Sequence, residues 1–232
     1  MSPQLQPTAP DEAWHIVGGL SKPSKMPGWA YGLPAQECIT GSKLAKIPGT
    51  TCHGCYALRG NYVFGNVKTA QYRRLESLDD PRWVDAFVTL LRGKYGREGY
   101  FRWHDAGDIQ SVAHLRRMVR IAELVPEVKF WVPTREYEIV SAYLGRYESF
   151  PPNLCVRLSG HYVDYPVELK GWPGLAVLPT STVHVGWNQP VVAPSGIQRE
   201  SIECKAYTRG NECGPCRACW STEVKNVSYP KH

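Results

Sequence analysis

The sequence predicts an α/β protein built on a parallel sheet, a partial (β/α) barrel-like array with long N-terminal loops and a C-terminal cysteine-rich metal-binding segment. Three observations predict it. Short apolar runs at 100–104, 129–134, 154–158 and 175–178 read as strands. Their centres lie about 29, 25 and 21 residues apart, the spacing of successive βα units, because parallel strands need crossover connections. Each run also ends in polar residues of the kind that gather at the C-terminal edge of a parallel sheet.

Taken in order, residues 1–12, with Pro3, Pro7 and Pro10, read as a flexible lead-in. Residues 14–51 are rich in Gly, Pro, Ser and Lys, with turn signals at Pro27-Gly28 and Pro48-Gly49, and predict irregular loops. Helical patterning begins after Asn66. It strengthens after Asp79-Asp80-Pro81, where acidic and proline start signals precede Trp83, Val84, Phe87, Val88 and Leu91. A helix with Val112, Leu115, Val119 and Ala122 on its buried stripe follows the first strand; one with Ile139, Val140, Tyr143 and Leu144 follows the second. Residues 13–200 are expected to form the α/β domain, with 201–232 packed on it as a cluster-binding segment.

The chain has 232 residues, 27 Lys+Arg against 21 Asp+Glu for a formal charge of +6, and eight cysteines. That length buries a full core without staples. The cysteine content lies far below the ~8–10% of disulfide scaffolds, and no apolar stretch approaches the ~18 residues of a membrane span. Met1 to Ala13 lacks the basic-then-apolar pattern of a secretory signal, so a reducing, cytoplasmic compartment is expected, where clustered cysteines bind metal or do chemistry. Metalloprotease, phosphate-loop and serine-elbow motifs are absent from the sequence.

The strand ends supply the polar candidates. His104, Asp105, Asp108, Arg135 and His184 are candidates for proton transfer or catalysis, and Arg102, Glu136, Arg157, Thr180 and Ser181 for cofactor binding. Guanidinium groups suit a carboxylate or phosphate. The competing reading is that Asp105, Asp108 and Thr134 cap the helices that follow them.

Seven cysteines fall into two groups. Cys38, Cys52 and Cys55 form the first; Cys204, Cys213, Cys216 and Cys219 form the second. Cys155, between Leu154 and Val156, reads as a small buried hydrophobe. A Cys-x2-Cys turn lets two thiolates point at one centre, and the row Cys213, Cys216, Cys219 with Cys204 upstream is similar to ferredoxin-type ligation of a 4Fe-4S cluster. Zinc is the alternative metal. Three thiolates in the first group would leave an iron with one open position, unless Cys52 and Cys55 join the second group in one mixed site.

Longer strings carry a family resemblance. Gly41-Ser42-Lys43-Leu44-Ala45-Lys46, Cys52-x2-Cys55-Tyr56-Ala57-Leu58-Arg59-Gly60-Asn61-Tyr62, Phe101 to Asp108, Pro133-Thr134-Arg135-Glu136, Thr180 to His184, Cys216-Arg217-Ala218-Cys219-Trp220 and Asn226-Val227-Ser228-Tyr229 resemble the bacteriophage "gene product eighty-eight" family. The resemblance runs from about residue 36 and implies a phage-type, metal-bound protein acting in the cytoplasm of an infected bacterial cell. Cys52-x2-Cys55-Tyr56 with the βα rhythm also resembles radical S-adenosylmethionine enzymes, implying one or two 4Fe-4S clusters and S-adenosylmethionine. The chain departs from that pattern in placing thirteen residues between Cys38 and Cys52, where such loops have three.

Two functions are therefore expected. One is a redox or radical iron–sulfur enzyme acting on a small molecule or nucleotide. The other is an iron–sulfur or zinc-stabilised nucleic-acid-binding protein, using the positive charge and runs such as Arg73-Arg74 and Arg116-Arg117 with Arg120.

Overall fold

The computed structural model describes residues 8–185 and 201–231. Seven strands make one sheet: β1 (Trp29–Tyr31), β2 (Tyr100–Trp103), β3 (Lys129–Thr134), β4 (Leu154–Val163), β5 (Thr180–His184), β6 (Ser201–Glu203) and β7 (Asn226–Pro230). Their order is β1-β2-β3-β4-β5-β7-β6, and every pair is parallel. β1 and β6 are not paired with each other, so the sheet does not close into a barrel.

Among the described residues, six α-helices accompany the strands: α1 (Pro10–Ile16), α2 (Gly41–Leu44), α3 (Gly65–Ser77), α4 (Trp83–Arg92), α5 (Val112–Leu124) and α6 (Tyr137–Tyr147). Alternation along each strand sorts residues onto two faces. Phe101, Trp103, Phe130, Val132, Leu154, Val156 and Leu158 share the core with Trp83, Phe87 and Leu91 of α4, Leu115, Met118 and Val119 of α5, and Val140 of α6. Truncating one of these aromatic side chains would cost about 3–5 kcal/mol. Ser111 caps α5 by accepting the His114 amide at 3.0 Å, and Asp80 accepts the Arg82 amide at 2.8 Å just before α4. The other face of the sheet carries Arg102, Trp131, Pro133, Arg157 and Ser159, and the long connection after β1 with the short α2 lies over it.

Several elements differ from the sequence reading. Residues 1–7 of the expected lead-in lie outside the described residues, and Pro10 already begins α1. The region read as irregular contains β1, whose approach to β2 requires Gly28. At φ +74° this glycine sits where an added Cβ would lie 1.8 Å from the Tyr100 carbonyl oxygen. The fourth strand starts at Thr180, not Leu175. Leu175 ends a 3-10 turn and is buried in the core, while the polar run Thr180-Ser181-Thr182 forms the strand. The cysteine-rich segment contributes β6 and β7 to the same sheet. Cys155 is buried on β4 as expected.

Candidate functional site

The three-cysteine group lies in the long connection after β1. Its loop is stitched to the sheet at two points and closed by one internal turn. Glu136, just past β3, accepts the Thr40 amide at 2.9 Å and the Thr40 hydroxyl at 2.7 Å, fixing the chain beside Cys38. The Thr51 amide donates to His161 O at 2.9 Å and its hydroxyl to Gly160 O at 2.8 Å, fixing the chain beside Cys52 against β4. The Cys55 amide donates to Cys52 O at 3.0 Å, the tight turn expected of Cys-x2-Cys.

These loops and the free face of the sheet enclose a cavity of about 1200 Å3. Cys38, Cys52 and Cys55 line it, with Arg102, His104, Asp105, Asp108, Arg135 and Ser181 from the strand ends. Gly41 sits between two of the thiols: an added Cβ there would lie 3.6 Å from both the Cys38 and the Cys52 Sγ. Burial pushes the Cys38 thiol up, and Asp108 and the neighbouring Cys52 and Cys55 push it the same way. Burial also raises Cys52, against the opposing field of the Arg135 guanidinium.

The polar strand ends divide by role. Asp108 is fully occupied: Oδ1 accepts the Ile109 amide at 2.8 Å and the Thr134 hydroxyl at 2.6 Å, and Oδ2 accepts the Arg135 amide at 2.9 Å. Its carboxyl is raised to about 6, first by burial and then by Glu136. The Arg135 side chain donates from Nε to Thr51 Oγ1 at 2.9 Å. Arg102 lies 4.6 Å over the Trp131 ring. His104 holds φ at +57°, is 3% exposed, and burial keeps its imidazole pKa well below 6.5.

The four-cysteine group lies between β6 and β7. Cys204 follows β6, the Cys216 amide closes a turn onto Cys213 O at 3.2 Å, and Cys219 Sγ lies 3.0 Å from the Tyr229 hydroxyl. Burial pushes Cys219 up to about 12, and Cys204 and Cys213 add to it. Trp220 anchors the segment by donating to Phe101 O at 3.0 Å and packing edge-on against Trp131 and Tyr100. The thiols that act on Cys38 are Cys52 and Cys55, and those acting on Cys213 are Cys204 and Cys216. Among the described residues, no three Cys, His, Asp or Glu side chains stand at distances that would hold a metal ion without rearrangement.

A family model described as gene product 88 matches residues 9–222. The chain belongs to the gene product 88 family. No curated protein and no solved structure matches it. The match spans both faces of the sheet and all seven grouped cysteines of this gene product 88 protein.

Four strand-end candidates are displaced from the cavity wall. Arg157 is wholly buried and donates to the carbonyls of Thr180, Ala218, Ser221 and Val224 at 2.8–3.0 Å, binding the cysteine-rich segment to β4 and β5. Glu136 anchors Thr40. Thr180 donates to Asn226 Oδ1 at 2.9 Å, and the His184 ring pairs with Thr182 Oγ1 at 2.8 Å. The wall also includes Trp131, Ser159, Tyr229 and Lys231, which sequence reasoning did not single out as site residues. Strand alternation is the signal that could have found Trp131 and Ser159, because both share a face with Arg102.

The arginine run on α5 is consumed structurally. Arg116 lies over the Tyr147 ring, Arg117 donates to Leu78 O and Asp80 O, and Arg120 pairs with Glu123. Among the described residues, no helix is long and apolar enough to cross a membrane.

Proposed function

We propose that this protein is an iron–sulfur enzyme with its reactive centre in the cavity on Cys38, Cys52 and Cys55, and a second centre on Cys204, Cys213, Cys216 and Cys219. The observation that carries the reading is the convergence of three thiols on a cavity at the C-terminal edge of a parallel sheet, with the space between two of them kept clear by Gly41. Ligands and reacting groups collect at that edge in parallel α/β folds.

The chemistry of the donors suits such a group, although the thiols would have to draw together to ligate it. Buried thiols that raise one another's pKa ionise only if a cation offsets the charge, and thiolate ligation of iron supplies that cation. Cys38, Cys52 and Cys55 would hold a cluster with one iron left without a protein ligand, and Cys204, Cys213, Cys216 and Cys219 would supply four ligands to the other. The wholly buried Arg157 guanidinium has carbonyl partners and the Cys155 thiol at 3.7 Å, with no carboxylate within ion-pair distance among the described residues, and its field offsets thiolate charge at Cys219. When bound, a cluster supplies one-electron chemistry and an iron open to substrate.

The chain's own residues then have distinct tasks. Arg135 offsets charge at Cys52 and, with Arg102, presents guanidinium donors to an anionic substrate. Neutral His104 can donate or accept one hydrogen bond without carrying charge at neutral pH. Glu136 and Asp108 hold the loops in place. Membership of a phage-type family favours action inside the infected bacterial cell, and S-adenosylmethionine is the cofactor proposed for the same cavity.

Anaerobic purification followed by iron, sulfide and zinc analysis tests the reading. Iron and acid-labile sulfide with charge-transfer absorption are expected; a colourless protein containing zinc alone would overturn it.

A further inference from the structure

We propose that the cavity binds a nucleoside phosphate, either a free nucleotide or a nucleotide unit of a single strand. The inference rests on the cavity wall alone and needs no metal there.

Two buried donors on the wall lack acceptors. Trp131 is 5% exposed, yet its indole Nε1 has no hydrogen-bond partner, and Arg102 Nε is equally buried and unpartnered. Both groups can only donate. They stand on adjacent strands in register, Arg102 opposite Trp131, with the guanidinium stacked over the indole. Arg135, also on the wall, uses only Nε within the described residues, leaving its terminal nitrogens available. A buried donor without an acceptor is costly, and a phosphate presents enough acceptor oxygens to satisfy several at once. A carboxylate would satisfy fewer.

The mouth adds charge and a flat ring. Lys25, Lys46 and Lys231 line it, all exposed, and none has a carboxylate within ion-pair distance among the described residues. Of the wall carboxylates, Asp108 has both oxygens occupied by Thr134 and backbone amides, and Asp105, whose Oδ1 is buried without a partner, is pushed up by burial against the fields of Arg102 and Arg74. Tyr56 keeps 49% of its surface open while its hydroxyl is tied to Asp105 O at 2.6 Å and its ring meets Tyr62 edge-on. A fixed aromatic ring with an open face is a platform on which any base can stack.

Titrating the purified protein with AMP, with inorganic phosphate and with a short single-stranded DNA, read by tryptophan fluorescence and calorimetry, tests this. AMP is expected to bind at least about tenfold tighter than phosphate, and Tyr56→Ala should remove that advantage. Arg102→Gln and, separately, Arg135→Gln should weaken AMP about tenfold or more with an unchanged melting temperature. A steep salt dependence confined to the DNA, and reduced by substituting Lys25, Lys46 and Lys231, would assign a strand as the source. Equal affinity without that dependence would assign the free nucleotide. Equal binding of AMP and phosphate, no binding of any probe, or affinity indifferent to both arginine variants in folded protein would overturn the proposal.

Discussion

The Thr134 hydroxyl donates to Asp108 Oδ1 at 2.6 Å, so one buried carboxylate ties the end of β3 to the loop that follows β2. The same carboxylate accepts the Arg135 amide, which sets where the Arg135 side chain leaves the strand.

That carboxylate makes stability depend on pH. With a folded pKa of about 6 against 3.8 unfolded, the folded state holds its proton more tightly. Its contribution is therefore fully present below pH ~4 and is lost as pH rises through about 6, to the extent of about 3 kcal/mol. Urea unfolding of wild type and Asp108→Asn should show the wild type losing stability relative to the variant between pH 4 and 7. Parallel curves would refute the assignment.

His114 works in the opposite sense. Burial lowers its pKa to about 3, and its Nδ1 accepts the Gln110 amide at 3.3 Å, so the folded state holds it neutral. Stability from this group is full above pH ~6.5 and is lost as pH falls toward 3, by up to about 5 kcal/mol. His114→Asn should flatten the acid limb of the same unfolding series, and an unchanged limb would count against it.

Much of the scaffold was legible because its helices and middle strands obey simple periods. Trp83, Phe87 and Leu91 mark α4, and the apolar runs of β2, β3 and the first half of β4 stand out between turns. β5 did not, because Thr180, Ser181 and Thr182 are polar and each finds a partner across the sheet, in Asn226 or Ser159. β1, β6 and β7 are short and owe their conformation to neighbours distant in sequence. The cysteine groups were legible from spacing. The fate of Arg157 was not, since its carbonyl partners at Ala218, Ser221 and Val224 lie some sixty residues away, and nothing local tells a structural guanidinium from a ligand-binding one.

Arg157→Met should loosen the cysteine-rich segment selectively. Four carbonyls lose a charged donor, a cost of about 3–5 kcal/mol. Hydrogen exchange should rise at 218–226 well above its rise in α5. Uniform exchange across the chain would mean that the residue supports the whole sheet instead.

Gly41→Ala should leave folding intact, because alanine suits the first turn of α2 better than glycine by up to about 1 kcal/mol. The new methyl would fill the space between Cys38 and Cys52 and approach Cys38 Cβ to 3.0 Å. Thermal unfolding should therefore hold or rise while iron bound to the first group falls. Full iron retention would show that this space is not the metal's.

The proposed function requires two separate cysteine-held centres, one of them opening on the cavity. Electron paramagnetic resonance of the anaerobically reduced protein, compared with Cys52→Ser and Cys216→Ser, tests it most directly. Two signals are expected, with Cys52→Ser abolishing one and Cys216→Ser the other. A single signal removed by either substitution, or no iron signal in folded wild-type protein, would contradict it.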